Sequence, residues 1–217
     1  DADAAACYGV RASSRIILDA YRRAGKRTLF FDKAHFGRGR FCRVAVDAWQ
    51  PTRYLGGIQR SDDRLRASGL ELKPWRSPSD DKVLLYCATT QTWCDFYDIG
   101  PARATDELIV AALLADSLRR VVYRPRPAYA KKHPELCQPI AGSDLSDRAS
   151  LADDLDRCHR LVTIGSNAAV EALAAGVPVS ILGSDHPCRV LELADPLTRD
   201  DEELRWTLFC KLAYAQW

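Results

Sequence analysis

The chain of 217 residues has no methionine, only four histidines and no long hydrophobic run. A membrane-spanning helix needs about 20 consecutive apolar residues, and no window approaches that length, so the sequence predicts no membrane span. The opening stretch, DADAAACYG, lacks the basic, apolar and small-residue order of a signal peptide and is typical of a trimmed N terminus. The 47% hydrophobic content is enough for one large domain or two small lobes.

Cysteine is plentiful, but the patterns that would give it a special role are absent. The eight cysteines are scattered, with no C-x-x-C pair and no histidine at zinc-site spacing. Cys87 and Cys210 lie in apolar runs, where a buried thiol behaves as a small hydrophobic group. The pattern predicts a reduced, cytoplasmic protein without a metal site.

Charge is distributed unevenly along the chain, although the net charge is only +2. Residues 11–76 hold 16 Lys/Arg against 6 Asp/Glu, whereas residues 77–217 hold 15 against 21. A basic first lobe favours contact with a polyanion. The alternative is an arginine-rich solvated surface, because basic residues at the end of a helix, here 22–27, also suit the helix dipole.

Hydrophobic periodicity divides the chain into two α/β halves. The first half is expected to contain strands at 4–8, 28–32 and 41–46, a helix at 12–24 with an apolar stripe, and mainly loops over 50–80. The second half is expected to contain strands at 82–87, 118–123, 161–164 and 178–182, helices at 105–117, 151–157, 168–175 and 202–217, and loops at 89–100 and 128–147. The strand KVLLYC has no polar alternation, which is typical of a parallel strand buried on both faces. The pattern predicts an α/β protein with domains at 1–76 and 77–217.

Residues 161–182, LVTIGSNAAVEALAAGVPVSIL, carry the most specific pattern. A strand ends at the turn 165–167 and a small-residue helix begins there, so open N–H groups and the helix dipole favour an anion. Ser166 and Asn167 can cap this helix or donate to a phosphate. Glu171, one helical turn along the same face, can accept hydrogen bonds from a ribose diol. The alternative is a capped structural helix with a solvated glutamate.

This run resembles the donor-binding half of GT-B glycosyltransferases, whose last domain holds the diphosphate and ribose of a nucleotide-sugar. The matching positions are Thr163, Ser166, Asn167, Glu171, Ala172, Gly176, Pro178 and Val179. The resemblance implies two Rossmann-like lobes with parallel sheets and a C-terminal helix that packs back across them. The first lobe, residues 1–76, is smaller than is usual for that fold.

Two further turns are expected at the same edge of the second sheet. Arg124 and Arg126 follow a central strand in YRPRP, where paired guanidiniums suit a diphosphate. This element also resembles the "(K/R)P(H/K/R)P" segment of the GT-B donor lobe, and the alternative is a surface strand end with ion pairs. A second turn is formed by Thr89, Thr90 and Gln91. Its hydroxyl and amide groups can donate to a phosphate, and the alternative is an ordinary capped turn.

The first lobe offers one candidate pair for catalysis. Glycosyl transfer with inversion needs a general base that takes the proton of the acceptor hydroxyl. Asp32 ends a strand and His35 follows it in a loop, so the carboxylate could act alone or orient the imidazole. The alternative is a turn aspartate beside a structural histidine.

Across nearly the whole chain, the sequence also resembles phage-encoded GT-B-like proteins that glycosylate modified bases in phage DNA. The resemblance rests on YGVRASS, LFFDKAHFGR, RVAVDAWQP, LVTIGSNAAVEALAAGVPV and LAYAQW. It implies that Asp32 is the base and that the first lobe meets DNA through Arg38, Arg40 and Arg43. A weaker resemblance is to capsule-type Kdo transferases, in which a histidine stands where this chain has Arg126.

Together these features predict a metal-independent glycosyltransferase that uses a nucleotide-sugar, with a UDP-sugar favoured and no other cofactor. The favoured acceptor is a hydroxymethylated pyrimidine in phage DNA, which places the protein in the host cytoplasm. One alternative is a glycosyltransferase of surface or capsular polysaccharide. Another is a non-catalytic protein of the same fold that binds a nucleotide or a nucleic acid.

Overall fold

The computed structural model describes residues 2–51, 61–76, 83–129, 132–183, 185–191 and 199–216. The chain forms two compact units. Unit 1 comprises Asp1–Glu71, Asp185–Leu191 and Pro196–Trp217, and unit 2 comprises Leu72–Ser184 and Glu192–Asp195. The sequence predicts domains at 1–76 and 77–217 with a C-terminal helix that packs back, and the structure ends the first segment of unit 1 at Glu71 and assigns the C-terminal helix to that unit. Among the described residues, no helix is long and apolar enough to cross a bilayer.

Strands and helices alternate along most of the chain. In chain order they are β1 (Ala4–Tyr8), α1 (Ala12–Arg23), β2 (Arg27–Lys33), β3 (Cys42–Val46), α2 (Asp63–Ser68), β4 (Val83–Cys87), α3 (Gln91–Tyr97), α4 (Ala102–Asp116), β5 (Val121–Arg124), β6 (Asp144–Leu145), α5 (Leu151–Asp156), β7 (Cys158–Thr163), α6 (Ala168–Ala174), β8 (Val179–Ile181) and α7 (Arg199–Tyr214). Short 3₁₀ turns occur at Pro127–Tyr129, Pro134–Cys137 and Pro187–Leu191.

Unit 1 is built on a three-stranded sheet in the order β1-β2-β3. β1 and β2 are parallel, whereas β3 is antiparallel to β2, so the predicted parallel pairing holds only for the first two strands. The C-terminal segment extends this sheet, because the Val44 N–H donates to the Ala215 carbonyl at 3.0 Å. Phe36 stacks on Phe209 of α7 with ring centroids 6.0 Å apart, which binds the terminal helix into the unit 1 core.

Unit 2 has a five-stranded sheet in the order β6-β5-β4-β7-β8, and every pairing in it is parallel. Central strand β4, Val-Leu-Leu-Tyr-Cys, is buried at every position, as its apolar sequence predicted. Leu85 of β4 lies in register with Val122 of β5 on one side and with Leu161 of β7 on the other. The α/β architecture with a parallel second sheet is therefore confirmed.

The loop predicted at 89–100 is wrong over most of its length, because residues 91–97 form α3. This short helix has no clear apolar period, but Thr90 caps it by accepting a hydrogen bond from the Trp93 N–H at 3.2 Å. It ends at Asp98, whose φ of 57° closes the helix in the left-handed region. Capping, rather than hydrophobic periodicity, was the signal for this helix.

Candidate functional site

The carboxyl edge of the unit 2 sheet collects the turns that the sequence singled out. The chain leaves β4 to one side, toward β5, and returns on the other side as β7, so the strand order reverses between β4 and β7. In open α/β sheets, the crevice outside such a reversal point is the usual place for a ligand. Residues 88–91 and 164–167 lie there, after β4 and β7 respectively.

Thr163, the last residue of β7, ties the two central turns together. Its buried hydroxyl donates to the Cys87 carbonyl at 3.0 Å and accepts from the Ser166 N–H at 3.2 Å. One side chain therefore fixes the turn after β7 against the end of β4. Thr163 was noted only as a match to the GT-B pattern, and the structure gives it a positioning role.

Gly165 allows an aromatic side chain to pack against this turn. A Cβ on residue 165 would lie 2.9 Å from the Trp93 ring, so only glycine fits without a shift. The Trp93 ring also packs on Tyr97, with centroids 4.3 Å apart. Helix α3 is thereby held beside the turn between β7 and α6.

The predicted donor residues of this turn differ in their settings. Ser166 and Asn167 are half-buried, and the Ser166 hydroxyl accepts from the Ala168 N–H at 3.2 Å. Asn167 occupies the N-cap position of α6 without a side-chain capping bond. Glu171 is exposed. Burial raises the pKa of the Cys87 thiol, and the Glu171 charge adds a smaller effect in the same direction.

The turn after β4 is held chiefly by its own contacts. Thr90 caps α3, and the Gln91 amide oxygen accepts from the Ala102 N–H at 2.9 Å while its nitrogen donates to Asp95 at 2.7 Å. Gln91 therefore joins α3 to α4, which favours the alternative of a structural turn for this residue. A role for the 89–91 turn in phosphate binding stays a prediction.

A buried carboxylate that sequence reasoning missed supports the same turn. Asp106 of α4 is 1% exposed and accepts from the Tyr86 hydroxyl at 2.6 Å, the Thr89 N–H at 3.2 Å and the Tyr123 hydroxyl at 3.2 Å. Burial raises its pKa to about 6, although the hydrogen bonds from Tyr86, Thr89 and Tyr123 oppose the shift. In the sequence, Tyr86 of β4 and Tyr123 of β5 indicate that such a partner exists, because the hydroxyl of a buried tyrosine needs a polar group to bond to.

The structure gives Arg124 an internal partner instead of an open position. Its side chain is 8% exposed, and one guanidinium nitrogen donates to Asp154 at 2.5 Å and to the Ser146 hydroxyl at 2.9 Å. Asp154 is fully buried and also pairs with Arg157 at 3.0 Å. The proposed diphosphate role of Arg124 is therefore corrected to a structural one, because its charge is neutralised inside unit 2. The sequence gives no sign of this role for Asp154, because an acid in a short helix is usually solvated.

Arg126, two residues later, is exposed. Its guanidinium lies over the Tyr129 ring, 5.9 Å from the centroid, and Tyr129 stacks in turn on His133. The YRPRP element thus contains one arginine that braces the sheet and one that lies at its surface. A role for Arg126 in binding a phosphate group stays a prediction.

The unit 1 candidates form an ion-paired cluster. Asp32 accepts from Arg43 at 2.5 Å through one carboxylate oxygen and from the Lys33 N–H at 2.8 Å through the other. Arg43 also donates to Gln50 at 2.6 Å and is 7% exposed, so it is corrected from a DNA contact to a buried partner of Asp32. His35 is buried at 1% exposure, and the Asp32 carboxylate accepts its hydrogen bonds from Arg43 and the Lys33 N–H.

The remaining unit 1 residues divide between surface and core. Arg38 and Arg40 are exposed, as acceptor-binding residues would have to be. His186 was not singled out from the sequence. It is buried, its Nδ1 accepts from the Cys188 N–H at 3.2 Å, and burial, with a smaller contribution from the Arg43 charge, lowers its pKa to about 3. His186 is consequently neutral at physiological pH.

Comparison with known proteins finds one matching family and similar solved structures. A family described as "Putative glycosyltransferase (DUF6716)" matches residues 133–185, a range that contains β7, the 165–167 turn, α6 and β8. No curated protein matches the chain. The family match covers only about a quarter of the chain, and it supports a glycosyltransferase.

Two solved structures share the fold. One is the β-Kdo 2,4-transferase of Thermosulfurimonas dismutans KpsC, with a TM-score of 0.59, 12% identity, and coverage of 96% of this chain and 78% of that chain. The other is the β-Kdo 2,7-transferase of the same KpsC, with a TM-score of 0.52, 13% identity, and coverage of 97% and 90%. At these identities the likeness shows the fold, which is GT-B-like.

Proposed function

We propose that the chain is a glycosyltransferase that binds a nucleotide-sugar at the carboxyl edge of the unit 2 sheet. The turn between β7 and α6 carries the proposal. This turn lies where the strand order reverses, is followed by the exposed carboxylate of Glu171, and falls inside the range that matches the glycosyltransferase family.

The chemistry of such a donor fits the groups at this edge. In glycosyl transfer the acceptor oxygen bonds to the anomeric carbon, the bond from that carbon to the phosphate oxygen breaks, and the hydroxyl proton passes to a base. The departing phosphate gains negative charge, which Arg126 and the polar turn of Ser166 and Asn167 would stabilise. Glu171 would accept hydrogen bonds from the ribose diol. This assignment requires no metal ion.

For the acceptor we propose a hydroxyl of a saccharide. The support is the fold shared with two domains that are described as Kdo transferases. A hydroxymethylated base in DNA is the second candidate, and it rests on the basic composition of residues 11–76 and on the exposed Arg38 and Arg40. Asp32 remains the proposed base, and its carboxylate is held by Arg43 and by the Lys33 N–H.

The donor proposal is tested by measuring binding of UDP-, GDP- and CMP-sugars by thermal shift and by calorimetry. A ligand that binds only the folded state raises the melting temperature as its concentration exceeds Kd. We expect one nucleotide class to bind, and Glu171→Ala to weaken it by roughly 1–3 kcal/mol through loss of a charge-assisted hydrogen bond.

Asp116→Ala is the matched control. Asp116 is an exposed acid at the end of α4, and the chain runs from there into the opposite, amino edge of the sheet. This variant should bind nucleotide as the wild type does. Equal losses in both variants, or no binding of any nucleotide-sugar, would contradict the proposed site. Binding without sugar transfer to saccharide or DNA would favour the non-catalytic alternative.

A further inference from the structure

The outer face of α1 presents an apolar stripe to solvent. Helical spacing places Ile16, Ile17, Ala20 and Ala24 on one side, and all four are exposed, with Ile16 at 67% and Ile17 at 45%. An apolar stripe ordinarily marks the face of a helix that packs on the core. In unit 1 the buried residues of α1 are instead Ser14 and Leu18, on the opposite side.

The stripe is surrounded by positive charge. Residues 11–27 contain six Lys/Arg and a single acid, Asp19. Asp19 is shared between Arg15 at 3.5 Å and Arg22 at 4.0 Å. At 100° per residue, Arg23 lies within about 20° of Ile16 around the helix axis, two turns further along, and it is exposed, as is Arg11 before the helix. The segment therefore combines exposed aliphatic side chains with a strong net positive charge.

We propose that α1 is an interfacial helix that docks unit 1 on an anionic membrane surface. Aliphatic side chains with basic neighbours are the combination that binds at the boundary between lipid headgroups and acyl chains. The basic residues would be attracted to anionic headgroups, and Ile16 and Ile17 would insert below them. A polyanion such as DNA would use the charges but would gain nothing from the exposed isoleucines.

Helix α4 of unit 2 also has an exposed apolar residue, but its charge differs from that of α1. Leu108 of α4 is 74% exposed, more than Ile16. At its surface that helix carries one basic residue, Arg103, against two acids, Glu107 and Asp116, because Asp106 is buried. An anionic surface would repel the α4 face, so Leu108 supplies a matched control.

The experiment is co-sedimentation of the full chain with vesicles of phosphatidylcholine, with and without phosphatidylglycerol. We expect binding only to vesicles that contain phosphatidylglycerol, weakened by salt. The double variant Ile16→Ser/Ile17→Ser should lose on the order of 100-fold in affinity, because two aliphatic side chains no longer insert. The double variant Arg11→Gln/Arg23→Gln should lose roughly 25-fold in affinity for these vesicles, about fivefold for each charge removed.

Leu108→Ser should bind vesicles as the wild type does, and melting temperatures should show that all variants remain folded, since the changed residues are exposed. The proposal is overturned if phosphatidylglycerol makes no difference or if the isoleucine variant binds normally. It is also overturned if the isoleucine variant only converts a dimer to a monomer in sedimentation velocity, which would make the stripe a contact between copies. Binding to duplex DNA that depends on the arginines alone would make the surface a nucleic-acid site.

Discussion

Asp106 is expected to make the stability of the protein fall as pH rises from about 4 to about 6. The carboxyl group is buried among Tyr86, Tyr123 and the Thr89 N–H, and burial raises its pKa from 3.8 to about 6. Between these two values the unfolded chain has lost the proton and the folded chain still holds it. Folding therefore takes up a proton, and the free energy of unfolding decreases as that proton becomes scarce.

The size of the effect follows from the shift. A change of about two pKa units corresponds to about 3 kcal/mol between pH 4 and pH 7. His186 has the opposite effect on the free energy of unfolding. Burial lowers its pKa to about 3, so below about pH 6.5 the unfolded chain takes up a proton that the folded chain does not, and the protein loses stability as pH falls. The two slopes overlap, so a variant is needed to isolate Asp106.

The variant is Asp106→Asn, which keeps the size and an acceptor oxygen but cannot ionise. Urea unfolding of both proteins from about pH 4 to about pH 7 gives the difference in free energy at each pH. That difference should move by about 3 kcal/mol in favour of the variant as pH rises. Asp116→Asn, an exposed control, should follow the wild type. Parallel curves for Asp106→Asn and wild type would refute a raised pKa at Asp106.

Two further substitutions probe each unit separately. Gly176→Ala should destabilise unit 2 by roughly 1–3 kcal/mol, because its Cβ would lie 2.0 Å from the Pro74 carbonyl and its φ is +75°. Gly25→Ala, at φ +69° with open space around it, should cost less, and equal losses would discount the steric argument. In unit 1, Asp32→Asn should lower the melting temperature, since Arg43 loses its charged partner. As the base, Asp32 should also account for about 10²–10⁴-fold in kcat; unchanged turnover in the folded variant would remove that role.

Much of unit 2 could be predicted because its central strands, β4 and β5, are buried on both faces. The uninterrupted apolar sequence of β4 and the strand, turn and helix over 161–182 identify a parallel sheet and its carboxyl edge. Two boundaries differ from the prediction: β7 begins at Cys158 and α4 at Ala102, each three residues earlier than expected. His159 and Arg160 interrupt the apolar pattern of β7, although backbone pairing continues through Arg160.

The less predictable residues are those whose partners are distant in sequence. Asp154 lies 30 residues from Arg124, and Asp106 lies 20 from Tyr86 and 17 from Tyr123. An acid in a helix is usually solvated, and only tertiary packing shows that these two are buried. The stripe on α1 is a related case. Periodicity identifies the apolar face of a helix, but it does not show which face the sheet will cover.

The central claim is that a nucleotide-sugar binds at the carboxyl edge of the five-stranded sheet. Amide hydrogen exchange with and without a saturating nucleotide locates the binding site directly, because a bound ligand slows exchange in the backbone it covers. The account predicts slower exchange in the turns 88–91 and 164–168, with Glu171→Ala reducing the effect at a fixed nucleotide concentration. Slower exchange confined to unit 1, with these turns unchanged, would contradict it.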